Sequence, residues 1–348
     1  MNRHEQLPAE EIINKALSRE RLAVSGLIAL LDLPSGSPAT YRLMGAANEV
    51  TRREAGGDGV IGAQIGLNVE PCSMNCEFCS FGAKHTKIHS GYRLSRKQVA
   101  QKTVEFLQAG VNYISLMATA DYHFDLYLRS AEAARDVMPA QMMLSANIGD
   151  FGPEQARELK ALGFGRVYHP VRLDEGSRTQ IDPSRRVRTL EVAAAENLEI
   201  AYCIEPIGTE HTPLQIAEMI DFSLRFRPTT AAVMRRIPIE GTIFERAGIV
   251  PEIRMAQIMA VLRLAYAHTD TQTFYIHEPS MLGLISGANL ICAETAANPR
   301  EVDETTRSAR GFSVSTCREY LENAGYGWRR EPNFPGSWFP GYTPKQST

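Results

Sequence analysis

Three cysteines carry the strongest chemical signal in this sequence of 348 residues. Cys72, Cys76 and Cys79 have the spacing C-x3-C-x2-C in the turn after an apolar strand. Thiolates this close together can face one metal centre, and they suit a cubane iron–sulfur cluster that is one protein ligand short. The iron without a cysteine stays free for an outside ligand, as catalytic metal sites keep a position open.

A disulfide, a buried core strand and a structural zinc site each account less well for the three cysteines. A disulfide requires an oxidising compartment, and the polar N-terminus shows no export signal. Three cysteines within eight residues, flanked by Asn75 and Glu77, are not typical of a core strand. A structural zinc site with His85 or His89 as the fourth ligand is the main alternative. Zinc ligands, however, more often come as two separated pairs.

Composition narrows the class of protein. A formal net charge of −3 gives no electrostatic reason to expect nucleic acid or an anionic membrane as a partner. No run of eighteen apolar residues predicts a transmembrane helix. Six cysteines, a thiolate motif and no export signal indicate a reducing cytoplasm.

An alternation of strands and helices must position these residues. Apolar, β-branched runs predict strands near residues 64–69, 113–117, 141–146, 166–169, 199–204, 231–234, 273–276 and 289–292. Amphipathic helices are expected between them, for example at 96–109, 154–162, 214–226 and 253–267, with Gly110, Gly163 and Gly165 as helix caps. Eight such repeats predict an α/β fold, most economically a (β/α)8 TIM-type barrel. The alternative is an open doubly wound sheet, but no G-x-G-x-x-G follows the first strand.

The chain divides into three predicted parts. Residues 1–58 form an N-terminal helical cap of two helical stretches, with a break at 34–38 that is rich in proline, glycine and serine. Residues 59–297 form the barrel, and residues 298–348 form a C-terminal extension with a helix at 316–324. The tail from Trp328 onward is rich in proline, glycine and aromatic residues, so it is not a regular helix, and packing against its own barrel is the default.

Barrel enzymes place their active sites at the carboxyl ends of the strands. The three cysteines follow the first strand at that face. Polar residues also fall at the other predicted strand ends, namely Ser115, Thr119, Ser145, Asn147, His169, Arg172, Asp174, Cys203, Glu205, Arg235, Arg236, His277 and Glu278. The prediction is therefore a polar site on one rim of the barrel.

The cysteine motif, with the aromatic Phe78 before its last cysteine, resembles the signature of the radical S-adenosyl-L-methionine (SAM) superfamily. The resemblance implies a 4Fe-4S cluster whose open iron binds SAM. It also implies that SAM is cleaved reductively to a 5′-deoxyadenosyl radical that abstracts hydrogen from a substrate. Nearly the whole chain is similar to the biotin synthase-like branch, which includes biotin synthase, methylornithine synthase and a FeFe-hydrogenase maturase. The segments that carry this likeness are 67–72, 203–208, 286–291 and 298–303.

The resemblance also implies roles for single residues. Cys72, Cys76 and Cys79 would bind the cluster, Arg172 the SAM carboxylate, Ser145 or Asn147 the ribose or methionine end, and Glu205 and Ile207 the nucleoside. The residues also allow simpler roles: Arg172 in a surface ion pair with Asp174 or Glu175, and Ser145 and Asn147 as helix caps. The family often has a G-G-E-like run after the second strand. Here residues 117–121 read Met-Ala-Thr-Ala-Asp, so the group that holds the SAM amino end is open.

We expect hydrogen abstraction followed by rearrangement or fragmentation of a small molecule in cofactor or amino-acid biosynthesis. Sulfur insertion is the second choice, since of the cysteines that hold biotin synthase's second cluster only Cys203 has a counterpart. Ser115 or its neighbour stands at the strand-two cysteine place, strand three has no cysteine, and His277 stands at the place of a strand-seven arginine. An auxiliary site would therefore need Cys203, Cys292 and Cys317. A zinc-stabilised binding protein is the third. The expected partners are a small-molecule substrate and an external electron donor of the flavodoxin or ferredoxin type.

Overall fold

The structure is a computed structural model that describes residues 8–88, 91–277, 279–297 and 311–328. Its strands are β1 (Asp58–Gly66), β2 (Asn68–Val69), β3 (Tyr92–Arg93), β4 (Tyr113–Met117), β5 (Leu144–Asn147), β6 (Phe164–Tyr168), β7 (Glu199–Ile207), β8 (Thr230–Arg235), β9 (Thr273–His277), β10 (Leu290–Ala296) and β11 (Gly327–Trp328). Its helices are α1 (Ala9–Leu17), α2 (Val24–Leu31), α3 (Pro38–Ala55), α4 (Arg96–Ala109), α5 (Phe124–Arg135), α6 (Pro153–Ala161), α7 (Pro183–Ala195), α8 (Pro213–Leu224), α9 (Glu252–Ala265), α10 (Met281–Leu284) and α11 (Val314–Asn323).

Eight parallel strands close into a barrel. The neighbours run in the order β1, β4, β5, β6, β7, β8, β9, β10, and β10 pairs with β1 from Val60–Leu290 to Gly66–Ala296. Each strand is followed by at least one helix before the next barrel strand. The predicted (β/α)8 barrel is therefore confirmed, and the open doubly wound sheet is wrong.

The first predicted strand, at 64–69, is divided in the structure. Strand β1 starts earlier and ends at Gly66, while β2 pairs with β3 as a separate antiparallel hairpin. The hairpin turns the chain out of the barrel wall just before Cys72. The cysteine motif thus belongs to a long loop at the carboxyl ends of the strands, and helix α4 follows that loop.

Helix caps agree in part with the sequence. Helix α4 has the predicted bounds and ends at Gly110 in the left-handed region with φ 86°. Gly163 follows α6 with φ 81°, as a helix cap requires. Gly165 lies inside β6, so its prediction as a cap is wrong. The helix predicted at 316–324 is α11, which starts two residues earlier.

The N-terminal region consists of three helices instead of the two expected. Helix α1 ends at Leu17, and Arg19 follows with φ 60°, which separates α1 from α2. Helices α2 and α3 pack on α9, which is buried along nearly its whole length. No helix in the described ranges is long and apolar enough to cross a membrane. Residues 298–310 and the aromatic tail after Trp328 lie outside the described residues.

The inside of the barrel holds polar as well as apolar side chains. A glycine in β1 leaves room for one of the large polar side chains. A Cβ atom on Gly62 of β1 would lie 2.4 Å from the hydroxyl oxygen of Tyr113, so only glycine leaves room for this ring inside the barrel. Tyr113 packs there with Cys203, Tyr275 and Leu290. Below the cysteine loop, the barrel therefore holds large polar side chains instead of only the usual aliphatic layers.

Candidate active site

The cysteine loop is held in place by its own backbone and by two neighbouring loops. The N–H of Cys72 donates to the carbonyl of Phe81 at 2.6 Å, and the N–H of Ala83 donates to the carbonyl of Cys72 at 2.9 Å. From the loop after β4, the carboxylate of Asp121 accepts from the N–H of Ser73 at 2.7 Å. From the loop after β6, the N–H of Gln180 donates to Met74 at 2.8 Å. These contacts fix the loop that carries the three thiols.

The three thiols sit in a desolvated environment. Burial raises the pKa of Cys72 to about 12 and that of Cys76 to about 11, and it raises the pKa of Cys79 as well. Thiolates at these positions need a compensating cation, and a metal centre supplies one while it displaces the protons. The donor set therefore fits an iron–sulfur cluster chemically.

The spacing of the sulfurs separates a cluster from a single zinc ion. Four ligands at 2.3 Å around zinc stand about 3.8 Å apart. Among the described residues, no three of the ligand atoms of Cys72, Cys76, Cys79 and His85 lie within 4.8 Å of one another. In a cubane each thiolate binds a different iron, so wider spacing is expected. The geometry favours the polynuclear centre.

His85 has another role in the loop. Its Nε2 lies 2.7 Å from the carbonyl oxygen of Cys79, so this nitrogen carries the proton and donates. A Cβ atom on Gly82 would lie 2.3 Å from the His85 ring, so glycine leaves space for the ring in this position. His89, the other proposed zinc ligand, lies outside the described residues.

One cavity extends from the cysteine loop into the barrel. It is lined by Cys72, Cys76, Phe78, Cys79, Asn68, Thr119, Ser115, Ser145, Asn147, Arg166, Tyr168, Arg172, Arg186, Glu205, Thr230, Tyr275, His277, Cys292 and Glu294, together with apolar residues. Four of the residues implied for SAM, namely Ser145, Asn147, Arg172 and Glu205, thus share the cavity with the three cysteines. Ile207 is buried in the apolar core and is not among the lining residues.

Arg172 lies in the cavity wall between two acidic residues. Its Nε contacts Glu205 at 2.9 Å and its Nη1 contacts Glu175 at 3.5 Å. Burial alone would lower the pKa of this guanidinium, but Glu175 and Glu205 reverse the effect and raise it. The ion pair with Glu175 exists, although it is buried and not on the surface. Asp174 instead contacts His211 at 3.1 Å.

Ser145 and Asn147 are strand residues. Both belong to β5, so the alternative that they cap a helix is wrong. Ser145 is 2 % exposed and accepts a long hydrogen bond of 3.4 Å from Nε of Arg166. Both side chains are available to a ligand in the cavity.

The sequence did not reveal a second guanidinium at the cavity. Arg186 of α7 is buried, lies 3.7 Å from both Asp150 and Glu175, and has a buried Nε without a hydrogen-bond partner. Its Nη1 contacts the ring of His169, whose pKa is lowered to about 4 by burial and by Arg186. His169 is therefore neutral and supports Arg186 from behind the cavity. No strand-end rule could find Arg186, because it is a helix residue.

The remaining strand-end residues divide into two groups. Ser115, Thr119 and His277 line the cavity, whereas Asp174, Cys203, Arg235 and Arg236 are not among its lining residues, and Glu278 is not described. Asp174, Glu210 and His211 gather within 4.8 Å, as metal ligands do. Arg236 already forms a two-pronged ion pair with Glu210, so the charge of that carboxylate is compensated.

The other cysteines lie in different surroundings. Cys203 and Cys292 pack inside the barrel, where Cys292 lies 3.4 Å from the hydroxyl of Tyr113. Cys317 belongs to α11 and packs in the main core outside the barrel wall. Ser115 and His277 also line the cavity. No shared environment unites Cys203, Cys292 and Cys317.

Comparisons with known proteins agree with this fold. Biotin synthase of Desulforudis audaxviator is 22% identical over 292 residues, which cover 80% of this chain and 88% of that protein. The maturase HydG of FeFe-hydrogenase superposes with a TM-score of 0.78 at 16% identity, covering 96% of this chain and 78% of that one. Methylornithine synthase superposes with a TM-score of 0.76 at 16% identity, covering 92% and 98%. No family model matches the chain.

The fold and the site together define a class of protein: closed (β/α)8 barrels with a three-cysteine loop at the mouth of the barrel cavity. Within that class, the relatives in sequence are biotin synthases, and the solved structures share the barrel. The resemblance to the biotin synthase-like branch of the radical SAM enzymes is thereby confirmed.

Proposed function

We propose that this chain is a radical SAM enzyme that acts on a small molecule in cofactor or amino-acid biosynthesis. The observation that carries the proposal is the placement of three desolvated thiols, with Cys72 buried and Cys76 and Cys79 half-buried, at the mouth of a cavity that continues into the barrel. A 4Fe-4S cluster bound there would supply the electron that cleaves SAM to methionine and the 5′-deoxyadenosyl radical, which abstracts hydrogen from the substrate.

Residues of this chain would hold the cluster and bind the carboxylate of SAM. Cys72, Cys76 and Cys79 hold the cluster and leave one iron without a protein ligand, since His85 is bonded to the Cys79 carbonyl. Arg172 offers a guanidinium fork to the SAM carboxylate, supported by the second guanidinium of Arg186. Positive charge at this wall offsets the carboxylates of Glu175 and Glu205 that already contact Arg172.

Other contacts to SAM follow from the cavity wall. Of the two β5 residues, Asn147 offers its amide to the ribose or methionine end, whereas the hydroxyl of Ser145 is bonded to Arg166. Glu205 faces the nucleoside. In place of the G-G-E-like run, Thr119 lines the cavity, and its hydroxyl accepts from Asn68 at 2.9 Å. Backbone carbonyls of this segment are candidates for the SAM amino group. Ile207 contributes to the core that supports Glu205 and not to the lining.

The barrel interior would bind the substrate. Its walls carry Ser115, Tyr168, Tyr275 and His277 next to apolar side chains, and the cavity continues downward from the thiols. Enclosure excludes water, which protects a reactive radical from side reactions. We favour hydrogen abstraction followed by rearrangement or fragmentation, with an electron donor of the flavodoxin or ferredoxin type.

Sulfur insertion is less well supported. It needs a sulfur-donating second cluster, and Cys317 lies outside the barrel wall while Cys203 and Cys292 are the only inner cysteines beyond the motif among the described residues. A zinc-stabilised binding protein is also less well supported, since among the described residues no three of the ligand atoms of Cys72, Cys76, Cys79 and His85 gather within 4.8 Å, as the ligands of one zinc ion do.

The test is metal analysis of protein purified and reconstituted without oxygen. We expect about four irons and four sulfides per chain in the wild type, the content of one cubane. The variant with Cys72→Ala, Cys76→Ala and Cys79→Ala together should hold almost none. Stoichiometric zinc without iron would contradict the proposal, and about four irons retained in the triple variant would favour a second cluster and sulfur insertion.

A further inference from the structure

Arg166 of β6 points into the barrel and is 5 % exposed, and it lines the cavity. Its Nη1 donates to the hydroxyl of Thr230 at 2.9 Å, and its Nε donates to the hydroxyl of Ser145 at 3.4 Å. Its guanidinium lies 4.1 Å from the centre of the Tyr113 ring. All three partners are neutral.

Arg166 differs in this respect from the other buried arginines. The described residues include four buried arginines, and Arg186, Arg236 and Arg263 each lie within 4.0 Å of a carboxylate. No carboxylate of the described residues lies within 4.0 Å of Arg166. Burying a charge without a counter-charge is costly, so proteins rarely do it without a purpose.

The nearest acidic side chain does not supply the missing charge. Glu199 is the first residue of β7 and pairs in register with Arg166, and its electrostatic influence reaches the guanidinium without contact. One of its carboxylate oxygens accepts from Thr229 at 2.8 Å, and the other is buried without a partner. The positive charge therefore faces the cavity.

The position of Arg166 indicates which ligand it serves. Thr230 and Glu199 begin their strands, whereas the cysteine loop lies beyond the opposite strand ends, so Arg166 is deep in the cavity. It precedes Tyr168 by two residues, about 7 Å along the strand, and Tyr168 donates to Glu205 at the level assigned to SAM. A molecule between Arg166 and the cysteine loop meets Ser115, Ala232, Met234 and Tyr275 along its length.

We propose that Arg166, with the hydroxyls of Thr230 and Ser145, binds a carboxylate of the substrate. One guanidinium fork and two hydroxyls match a planar monoanion, and a phosphate dianion would call for more donors. The body of the substrate then extends from this anchor toward the cysteine loop. The proposal rests on the proposed function for the identity of the cavity as a substrate site, but the binding itself is measurable without catalysis.

The probe is sodium hexanoate, compared with hexanamide, which has the same shape without the charge. Binding is measured by calorimetry on reconstituted protein saturated with SAM, in buffers matched in ionic strength with sodium chloride. We expect hexanoate to bind the wild type about tenfold or more tightly than hexanamide, and Arg166→Gln to abolish this preference. Arg166→Lys should keep part of it.

Controls separate the possible sites. Glu199→Gln removes a neighbouring charge behind Arg166 and should keep the preference for hexanoate. Arg172→Gln, compared with the wild type in the absence of SAM, should also keep it, because Arg172 belongs to the SAM site and not to the proposed anchor. If Arg166→Gln does not fold, Thr230→Val replaces it and should weaken hexanoate more than hexanamide.

Three results would contradict the carboxylate site, and a separate assay tests the proposed function. No hexanoate binding to the wild type, an unchanged preference in Arg166→Gln, or a loss only in Arg172→Gln would overturn the carboxylate site. Release of 5′-deoxyadenosine with dithionite, measured on the same samples without probe, tests the proposed function independently. Arg166→Gln should retain that release, since it lies below the SAM level.

Discussion

The cysteine loop depends on single residues that its motif does not contain. The N–H of Ser73 is held by Asp121, and burial opposes ionisation of this carboxylate. Its hydrogen bonds with Ser73 outweigh burial and keep its pKa below the ordinary value. His85 holds the carbonyl of Cys79 from the other side. The three thiols are thus placed before any metal arrives, which reduces the ordering that cluster binding requires.

Gly82→Ala should disturb the loop through His85. The new Cβ would lie 2.3 Å from Cε1 of His85, so the ring must turn away and give up its hydrogen bond to Cys79. We expect a loss of about 1–3 kcal/mol in the free energy of unfolding and a lower iron content after reconstitution. Denaturant unfolding and iron analysis measure the two effects.

The matched control for Gly82→Ala is a double-mutant cycle with His85→Ala. Because the smaller side chain leaves room for the new methyl group, Gly82→Ala should cost less in the His85→Ala background than alone. Equal costs in both backgrounds would show that the steric contact with His85 is unimportant.

Some residues of the site could be predicted from the sequence, and others could not. The cysteines are found by spacing, and Ser145, Asn147, Arg172 and Glu205 by their place at strand ends; all line one cavity. Arg166 was the first residue of a strand predicted at 166–169, and only the structure shows that it lies inside β6 and faces the cavity. Arg186 had no signal, because it reaches the cavity from a helix. Ile207 could not be placed, because burial in core or cavity looks the same in sequence.

At the scale of elements, the loops after β7 and β8 are joined by an ion pair. Arg236, just beyond β8, forms a two-pronged contact with Glu210 and lies 3.7 Å from the centre of the Phe244 ring. The hydrogen bonds from Arg236 lower the pKa of Glu210 to about 2. This pair ties together two loops next to the proposed nucleoside contacts.

Glu210→Gln should change how stability depends on pH. The folded pKa of about 2 lies below the unfolded value of about 4.3, so ionised Glu210 stabilises the fold above about pH 4.3. This contribution declines as the pH falls toward about 2. The difference in unfolding free energy between wild type and Glu210→Gln should therefore shrink between pH 5 and pH 2.5, as measured in urea.

Glu218→Gln is the control for Glu210→Gln, since Glu218 is exposed on α8 and has no ion pair within the described residues. It removes the same charge without breaking a contact. A pH profile of Glu210→Gln that runs parallel to the wild type would contradict the assigned ion pair.

Helix α2 is stabilised at its end by a side chain of α9. The amide nitrogen of Gln257 donates at 2.9 Å to the carbonyl of Leu30, a group that a helix end leaves without an internal partner. It also donates at 3.0 Å to the carbonyl of Leu33, just beyond the helix. Gln257→Ala should therefore cost about 1–3 kcal/mol in unfolding free energy. Gln101→Ala on the exposed side of α4 is the control and should cost less than half as much. Equal losses would contradict the capping role.

The sequence predicted helices and strands correctly where the hydrophobic periodicity is strong. The predicted ends of an element were wrong where glycines interrupt that periodicity. Strand β1 contains Gly59, Gly62 and Gly66, which lower strand propensity, so the sequence placed its start six residues late. Gly62 is there because Tyr113 occupies the space beside it. The break between α1 and α2 was missed because Arg19 adopts a left-handed conformation that its residue type does not announce.

On the scale of the whole molecule, a buried ion pair connects the N-terminal helices to the barrel. Arg263 of α9 is fully buried and contacts Glu54 of α3, and its Nε donates to Thr51 at 2.8 Å. The same guanidinium lies 4.3 Å from the centre of the Phe274 ring of β9. The helices of the N-terminal region are thus fixed to the barrel wall through one cation.

Glu54→Leu should destabilise the protein by about 3–5 kcal/mol, because it leaves the buried guanidinium of Arg263 without its counter-charge. The double variant Glu54→Leu with Arg263→Met removes both charges and should recover much of that loss. Urea unfolding of the metal-free proteins measures both. A double variant no more stable than Glu54→Leu would show that the packing of Arg263, and not its charge, is what matters.

The closed barrel was predictable from eight alternations of strand and helix, whereas the contents of its interior were not. Packed aliphatic layers are the rule in such barrels. Here Tyr113, Arg166 and Tyr275 occupy the interior beside an open cavity. Which side chains fill the interior depends on which face of each strand turns inward, and the sequence does not specify that face. The closed barrel, with a charged group deep inside and three thiols at the rim, is the arrangement that the proposed chemistry needs.

The most direct test of the central claim is release of 5′-deoxyadenosine from SAM by anaerobically reconstituted protein with dithionite. The wild type should release it, and Cys76→Ser should release none above background, because two cysteines do not hold the same cluster. Release by Cys76→Ser at the wild-type rate, or none from wild-type protein that carries about four irons per chain, would contradict SAM cleavage at the cysteine loop.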